Sequence, residues 1–358
     1  MIEELIASWE GEEVVVRYDR PSGAWMFICV HSTRLGPAAG GTRMRVYGSP
    51  AEALVDGMRL SEAMTAKYAV ARLPQGGGKA VIAVPELPQG SARRALMLRY
   101  ADLVDSLGGT YITAPDMNTS ESDMDVVGER TRFVFGRSRA AGGSGSSGPN
   151  TARGVFYGIA ATMRWLDGRS DLEGLTVAVQ GVGGVGARLC ELLVGAGCRV
   201  LAADVLAARA EELAARLGCE VVAADEVLTV KCDVLSPCAS GGVIDAGSAH
   251  ALRCRVVAGA ANNQLADPAL ARVLKQRGIL YAPDYVINVG GALQIGLELL
   301  GWSPEEYEAR LSAIGDTLIE VYETARIAGI DTEAAAGELA RRNLEAAPAR
   351  RFMASDPG

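Results

Sequence analysis

Histidine is almost missing from this chain: its 358 residues include only His31 and His250. Two isolated imidazoles argue against a histidine-built metal centre and against a Ser-His-Asp machine, and no metal site is expected. The seven cysteines (29, 190, 198, 219, 232, 238 and 254) are odd in number and scattered, with no CxxC pair. They read as reduced thiols of a cytoplasmic protein rather than a disulfide framework. No run of about 18 apolar residues is free of charge, so no membrane partner is expected. The acidic start, MIEELIASWEGEEVVVRYD, lacks the apolar core of a signal peptide. Basic runs are absent, aromatic residues make up 5% and the net charge is -8, which argues against a nucleic-acid partner.

Hydrophobic residues make up 49% and charged residues 22%, enough for a sizeable core in a chain long enough for two or three domains. VVVRYD (14–19) and AWMFICVHST (24–33) read as a strand pair around Pro21-Ser22-Gly23. Ser49-Pro50-Ala51-Glu52 reads as a capping box opening a helix that ends near Tyr68, with Lys67 in its last turn. KAVIAVP (79–85) reads as a buried strand, ARRALMLRYADLVDSLGG (92–109) as a helix and TYIT (110–113) as a short strand. GRSRAAGGSGSSGPN (136–150) is a Gly/Ser break. It reads as a flexible linker, assigned to 138–150, between a first domain (1–137) and a second (151–330). From Leu175 strands and helices alternate, which implies an α/β fold with a doubly wound parallel sheet. Ser303-Pro304-Glu305-Glu306 caps an expected helix over 304–327, a last helix is expected over 331–350, and the tail past Arg351 is expected to fray.

Three constellations carry chemistry. Gly181-Val182-Gly183-Gly184-Val185-Gly186 follows the strand LTVAVQ and opens a helix, and Asp204 ends the next strand. That is the context of a dinucleotide-binding turn: Gly181 for the tight turn, Gly183 for backbone approach to a pyrophosphate, Gly186 for helix packing. Asp204 would accept from a ribose 2′-hydroxyl and repel a 2′-phosphate, which favours NAD over NADP. A second group is Lys67, Lys79 and Asp116. The three glycines before Lys79 read as a loop, and two neighbouring ammonium groups could leave one neutral near pH 7. Spacing alone fits two surface lysines and a loop-capping aspartate as well. The third group is GAANNQ (259–264) and NVGG (288–291). Their asparagines could meet a nicotinamide amide, or could simply form turns.

These motifs, with LGPAAGGTR (35–43), LPQGGGKAVI (73–82), TAPDMNTSESDMD (113–125), PCASGGVI (237–244), VVAGAANNQLAD (256–267) and GILYAPDYVINVGG (278–291), resemble the glutamate, leucine, phenylalanine and valine dehydrogenases. The likeness runs through nearly the whole chain in order, and the wording is most similar to the phenylalanine branch. It implies NAD-dependent, reversible oxidative deamination of an L-amino acid to a 2-oxo acid and ammonia.

By the same resemblance, Lys67 holds the substrate carboxylate. Lys79 is the general base for water, and Asp116 relays protons to and from the amine. Gly40 and Gly41 flank the substrate. Thr151, Asn263 and Asn288 lie near nicotinamide and substrate, and Val185, Cys238 and Ala239 join the cofactor-binding set. Ala39, Ala114, Ala292 and Ile295 complete an apolar pocket. Its alanines favour phenylalanine or another large side chain over leucine or valine. The family also implies a homo-oligomer built through the first domain, with the last helix packed back on it. Asn118, Val289 and the wording PNTARGV depart from the family pattern and bear on specificity. A 2-hydroxy-acid dehydrogenase would need a histidine acid–base that His31 and His250 do not supply. A non-catalytic NAD-binding regulator would keep the glycines and Asp204 but lose a lysine or Asp116.

Overall fold

The computed structural model describes residues 2–347, which form two compact units. The first comprises the chain to Ser146, Gln294–Gly301 and the chain from Ala340; the second is Ser147–Leu293 with Trp302–Leu339.

The first unit holds a mixed sheet of β1 (Glu13–Asp19), β2 (Ala24–Ser32), β3 (Ala38–Arg45), β4 (Gly76–Ala83) and β5 (Tyr111–Pro115), in the order β1-β2-β4-β3-β5. β1, β2 and β4 pair antiparallel, while β3 runs parallel to both β4 and β5. The period of two sorts side chains onto two covered faces. Phe27, Cys29 and Val81 meet Ala53, Leu54 and Met58 of the helix Pro50–Val70. Met26, Ile28, Ala80 and Ile82 meet Leu96, Met97 and Tyr100 of the helix Gly90–Asp105 on the other face. Burial on both sides explains why β4 reads as an unbroken apolar run. Truncating Ile82 to alanine there would cost about 2–5 kcal/mol.

The glycines before Lys79 are not a loop. Gly76, Gly77 and Gly78 are the first residues of β4, and all are buried. A Cβ on Gly77 would overlap Thr65 and stand 2.5 Å from the Ser61 carbonyl oxygen; one on Gly78 would lie 2.8 Å from the Tyr111 ring. Helix and neighbouring strands therefore pack on bare backbone, which places Lys79 mid-strand opposite Cys29. The Ser49 hydroxyl accepts from the Glu52 amide (3.2 Å), but the Glu52 carboxylate accepts from the Gly48 amide rather than closing the expected box.

The Gly/Ser segment is not a free linker either. It contains a 3-10 turn at Arg139–Ala141, and the helix Gly148–Asp167 begins inside it. The Glu298 carboxylate accepts from the amides of Gly136 (3.1 Å) and Ser144 (3.0 Å) and from the Ser144 hydroxyl. Gln294 Nε2 donates to the carbonyls of Gly145 and Ser146. Gln294–Gly301 thus belongs to the first unit, and Ile295 with it, although the sequence predicts a second domain that runs unbroken over 151–330.

The second unit carries six parallel strands: β6 (Thr176–Gln180), β7 (Arg199–Ala203), β8 (Glu220–Val221), β9 (Val234–Pro237), β10 (Val256–Val257) and β11 (Leu280–Tyr281). Their order, β11-β10-β9-β6-β7-β8, is that of the doubly wound dinucleotide-binding fold, with its switch point between β6 and β9. The helix expected over 304–327 is two, Pro304–Ser312 and Ile314–Ala328; the break precedes Gly315, whose bare backbone sits against Ala161. The last helix, Thr332–Ala346, is divided between the units at Leu339, and Asn343 Nδ2 donates to the Ala69 carbonyl (2.9 Å) within the first. The rest of the 331–350 span and the tail past Arg351 lie outside the described residues.

Candidate active site

Register sets which side chains of the first unit can meet. Ala39 of β3 lies opposite Gly77 of β4 and Ile112 of β5, and Gly41 lies opposite Ala114. Alternation then puts Ala39, Gly41, Arg43, Lys79 and Ala114 on the face covered by the helix Pro50–Val70. Asp116 follows β5 directly, two residues beyond Ala114. Lys79 Nζ reaches across β3 to Asp116 Oδ2 at 2.9 Å. Gly41 lies beneath this bridge: a Cβ there would stand 2.7 Å from both the Asp116 Cβ and the Pro115 carbonyl oxygen. Glycine is required because the turn that carries Asp116 folds directly onto this backbone.

Asp116 has a second cation. Arg43 Nε donates to the same Oδ2 at 3.0 Å, while its NH1 donates to Asp56 Oδ2 at 2.9 Å. Asp56 also accepts from the Tyr47 hydroxyl (2.8 Å) and from Arg59 (3.0 Å). The Thr119 hydroxyl donates to the Thr42 carbonyl and accepts from the Asp116 amide at 2.8 Å, which fixes the backbone behind the carboxylate. Burial works to raise the Asp116 carboxyl, but Lys79 and Arg43 outweigh it and hold it at about 2. Burial pulls the Lys79 ammonium below its usual range, opposed by Asp116.

Lys67 lies in the last turn of its helix, partly buried. One turn earlier Met64 and Thr65 pack over Gly40 and Gly77, so the end of the helix carrying Lys67 overlies β3 and β4. Ala39 and Ile295 are wholly buried, Ala114 nearly so, and Ala292 is half-buried. Asn118 takes a positive φ of 58° while its Nδ2 holds the Met44 carbonyl at 3.0 Å. Asn118 thus sits at a left-handed turn position, where asparagine is tolerated.

In the second unit Gly181 leaves β6 with φ +90°, and a Cβ on it would lie 2.5 Å from the Cβ of Ala239, just past β9. Gly186 packs so closely on the Gly181 carbonyl that a side chain there would overlap it. At Gly183 and Gly184 nothing stands within 4 Å, and Gly183 caps the helix Gly184–Gly195. Backbone amides at an open helix N-terminus suit a pyrophosphate. Val185 is half-buried in that first turn, and Cys238 donates its amide to the Gln180 carbonyl at 2.7 Å. Asp204, directly after β7, accepts from the amides of Val182 (3.0 Å) and Leu206 (2.9 Å), which anchors its carboxylate beside the turn.

The loops after β9, β10 and β11 converge. The Gly242 amide donates to the Asn263 carbonyl at 2.7 Å, and Asn288 Nδ2 donates to Asn262 Oδ1 (2.7 Å) and the Ala260 carbonyl (3.1 Å). Asn263 itself is exposed, with φ 51°. Asn288 Oδ1 is buried without a partner, an acceptor suited to an amide donor such as that of nicotinamide. The Thr151 hydroxyl donates to the Ser147 carbonyl and lies 2.7 Å from where a Cβ on Gly291 would stand. The residues of the second unit therefore fit a dinucleotide: an open glycine turn, a carboxylate anchored beside it and an orphaned acceptor.

A doubly wound parallel sheet with this turn, joined in one chain to a unit in which a buried lysine pairs with a half-buried aspartate, defines a dinucleotide-dependent oxidoreductase. More particularly, the chain belongs to the glutamate/leucine/phenylalanine/valine dehydrogenase family. Residues 14–133 match the Glu/Leu/Phe/Val dehydrogenase dimerisation domain and residues 207–351 the glutamate/leucine/phenylalanine/valine dehydrogenase model. The leucine dehydrogenase of Thermoactinomyces intermedius is 40% identical over 96% of this chain and 93% of its own length. The valine dehydrogenase of Streptomyces albus is 41% identical over 95% and 94%. The L-tryptophan dehydrogenase structure from Nostoc punctiforme superposes with a TM-score of 0.83 at 35% identity, covering 96% of this chain and 98% of that one. The protein is thus an amino-acid dehydrogenase, an oxidoreductase acting on CH–NH2 donors with a nicotinamide cofactor. Among the described residues no helix is long and apolar enough to cross a membrane.

Arg43 and Asp56 escaped the sequence reading. One signal pointed to Arg43, which stands two residues after Gly41 and hence on the same face of a strand; no local pattern marked Asp56.

Proposed function

We propose that the protein catalyses NAD-dependent, reversible deamination of an apolar L-amino acid to its 2-oxo acid and ammonia. The observation that carries the site assignment is the Lys79–Asp116 bridge over Gly41. Bound nicotinamide supplies the hydride acceptor. Lys67 binds the substrate carboxylate, while Gly40 and Gly41 leave room beside it. Burial keeps the Lys79 amine able to shed its proton, so it withdraws one from water as water adds to the oxidised substrate. Asp116 carries a proton to the departing amine. Thr151, Asn263 and Asn288 orient the nicotinamide, and Val185, Cys238 and Ala239 line the turn built on Gly181, Gly183 and Gly186. Asp204 selects NAD through the ribose hydroxyls.

Ala39 and Ala114 present only methyl groups on the face that bears Lys79. Together with Ala292 and Ile295 they favour a large side chain, and phenylalanine leads. Leucine and valine form the second reading, favoured by the 40% and 41% identities to dehydrogenases named for them. We further infer a homo-oligomer assembled through the first unit, since its matched region is described as a dimerisation domain and β1 exposes Val16 and Tyr18 at the sheet edge.

The test is reduction of NAD+ and NADP+ by purified protein with a panel of L-amino acids at alkaline pH. Phenylalanine ahead of leucine and valine supports the pocket reading; the reverse keeps the mechanism and removes the pocket argument. Lys79→Ala should lower turnover by about 10²–10⁴ while NADH binding stays near normal. Persistent turnover in that variant would remove Lys79 from its role.

A further inference from the structure

If Lys79 is the base, it must work as a neutral amine beside an ionised Asp116. A buried lysine–aspartate pair alone resists that state. Once the ammonium loses its proton, the carboxylate is left without a counter-charge in a desolvated site, so the proton is held more tightly. The structure contains a second cation that does not titrate. The Arg43 guanidinium meets the same Oδ2 at 3.0 Å, with side-chain exposure of 15%, and arginine stays charged at every relevant pH.

We propose that Arg43 is a positioning residue that keeps Asp116 ionised and oriented when Lys79 gives up its proton, with Asp56 setting how strongly it acts. This rests on the reading of Lys79 as base. Both cations take Oδ2, so together they fix the orientation of the carboxylate from one oxygen. Asp56 draws on Arg43 from the opposite edge and is itself held by Tyr47 and Arg59.

The groups facing Lys79 have opposed effects. Arg43 on β3 disfavours its charge, whereas Asp116 beyond β5 and Asp56 on the covering helix favour it. Cys29, opposite on β2, is pushed up to about 12 by burial and stays neutral. Lys67 lies in the last turn of the same helix.

Two substitutions should therefore act with opposite sign. Arg43→Gln removes the permanent cation and moves Lys79 titration to higher pH. Asp56→Asn removes an anion and moves it lower. The full-length protein carrying [ε-13C]lysine has only four lysine signals, and Lys79→Arg assigns the relevant one. The pH midpoint of that signal is read in wild type and both variants. In parallel, kcat/KM for deamination should lose about tenfold or more near neutral pH in Arg43→Gln, mainly through kcat. Arg43→Lys should recover part of it by restoring the charge. Opposite displacements of the Lys79 midpoint support the proposal; no displacement, or displacement in one direction by both, overturns it. If Arg43→Gln does not fold, Asp56→Asn decides alone: a lower midpoint supports the proposal, and an unchanged or higher one overturns it. A wild type that turns over no amino acid would instead bring down the functional reading, since the titration needs no turnover.

Discussion

Gly41 and Asp116 touch backbone to side chain: a methyl group on Gly41 would stand 2.7 Å from the Asp116 Cβ. The Pro115 carbonyl oxygen stands equally close, so both the backbone and the side chain of the Asp116 turn would have to move. Gly41→Ala should push Asp116 off Lys79 and lower kcat/KM by about 10²-fold, as sub-ångström misplacement does in a reacting site. NADH binding should survive, because the glycine turn belongs to the second unit. Steady-state kinetics with fluorescence titration of NADH checks both halves. Equal loss of NADH binding would show a wider disruption.

The glycines of the dinucleotide turn should separate by role. Gly186→Ala forces a Cβ into the Gly181 carbonyl, and overpacking of this kind costs about 1–3 kcal/mol. Gly183→Ala meets nothing within 4 Å, so it should fold normally and lose affinity for NADH only. Thermal melts with and without NADH distinguish them: a lower melting temperature without ligand for the first, a smaller ligand-induced rise for the second.

Glu333 gives a pH-dependent stability of definite sign. Burial, with Asp284 and Asp331 nearby, pushes its carboxyl up to about 8. The folded state therefore holds a proton that the unfolded chain sheds near pH 4.3. Stability from this group is complete below that pH and falls as pH rises toward about 8. Glu333→Gln should raise the melting temperature by a few degrees at pH 9 and change it little at pH 4. A gain of the same size at both pH values would remove Glu333 as the cause.

Much of the second unit was legible because strand–helix alternation, a glycine turn and Asp204 are all local patterns. The strand LTVAVQ and the next one, ended by Asp204, are β6 and β7. The first unit was harder to read. β3 was not assigned as a strand, because Gly40 and Gly41 erase the side-chain alternation that marks one. The Gly76–Gly78 run looked like a loop for the same reason; its cause lies in Thr65, Ser61 and Tyr111, which no window around residue 77 contains. Glu298, more than 150 residues downstream, orders a segment whose composition reads as flexible. Arg43 was missed because its meaning depends on two carboxylates brought together only by register.

The first unit is assembled from three separate stretches of chain, and this bears on how the protein is made. Residues 294–301, which clamp the Gly/Ser segment, leave the ribosome only after the whole of 147–293 has been translated. At ordinary elongation rates that is a delay of about 10–30 s. Through that interval the amides of Gly136 and Ser144 have no Glu298 to meet. The nascent protein should gain protease resistance at this segment only once translation has passed the end of that clamp.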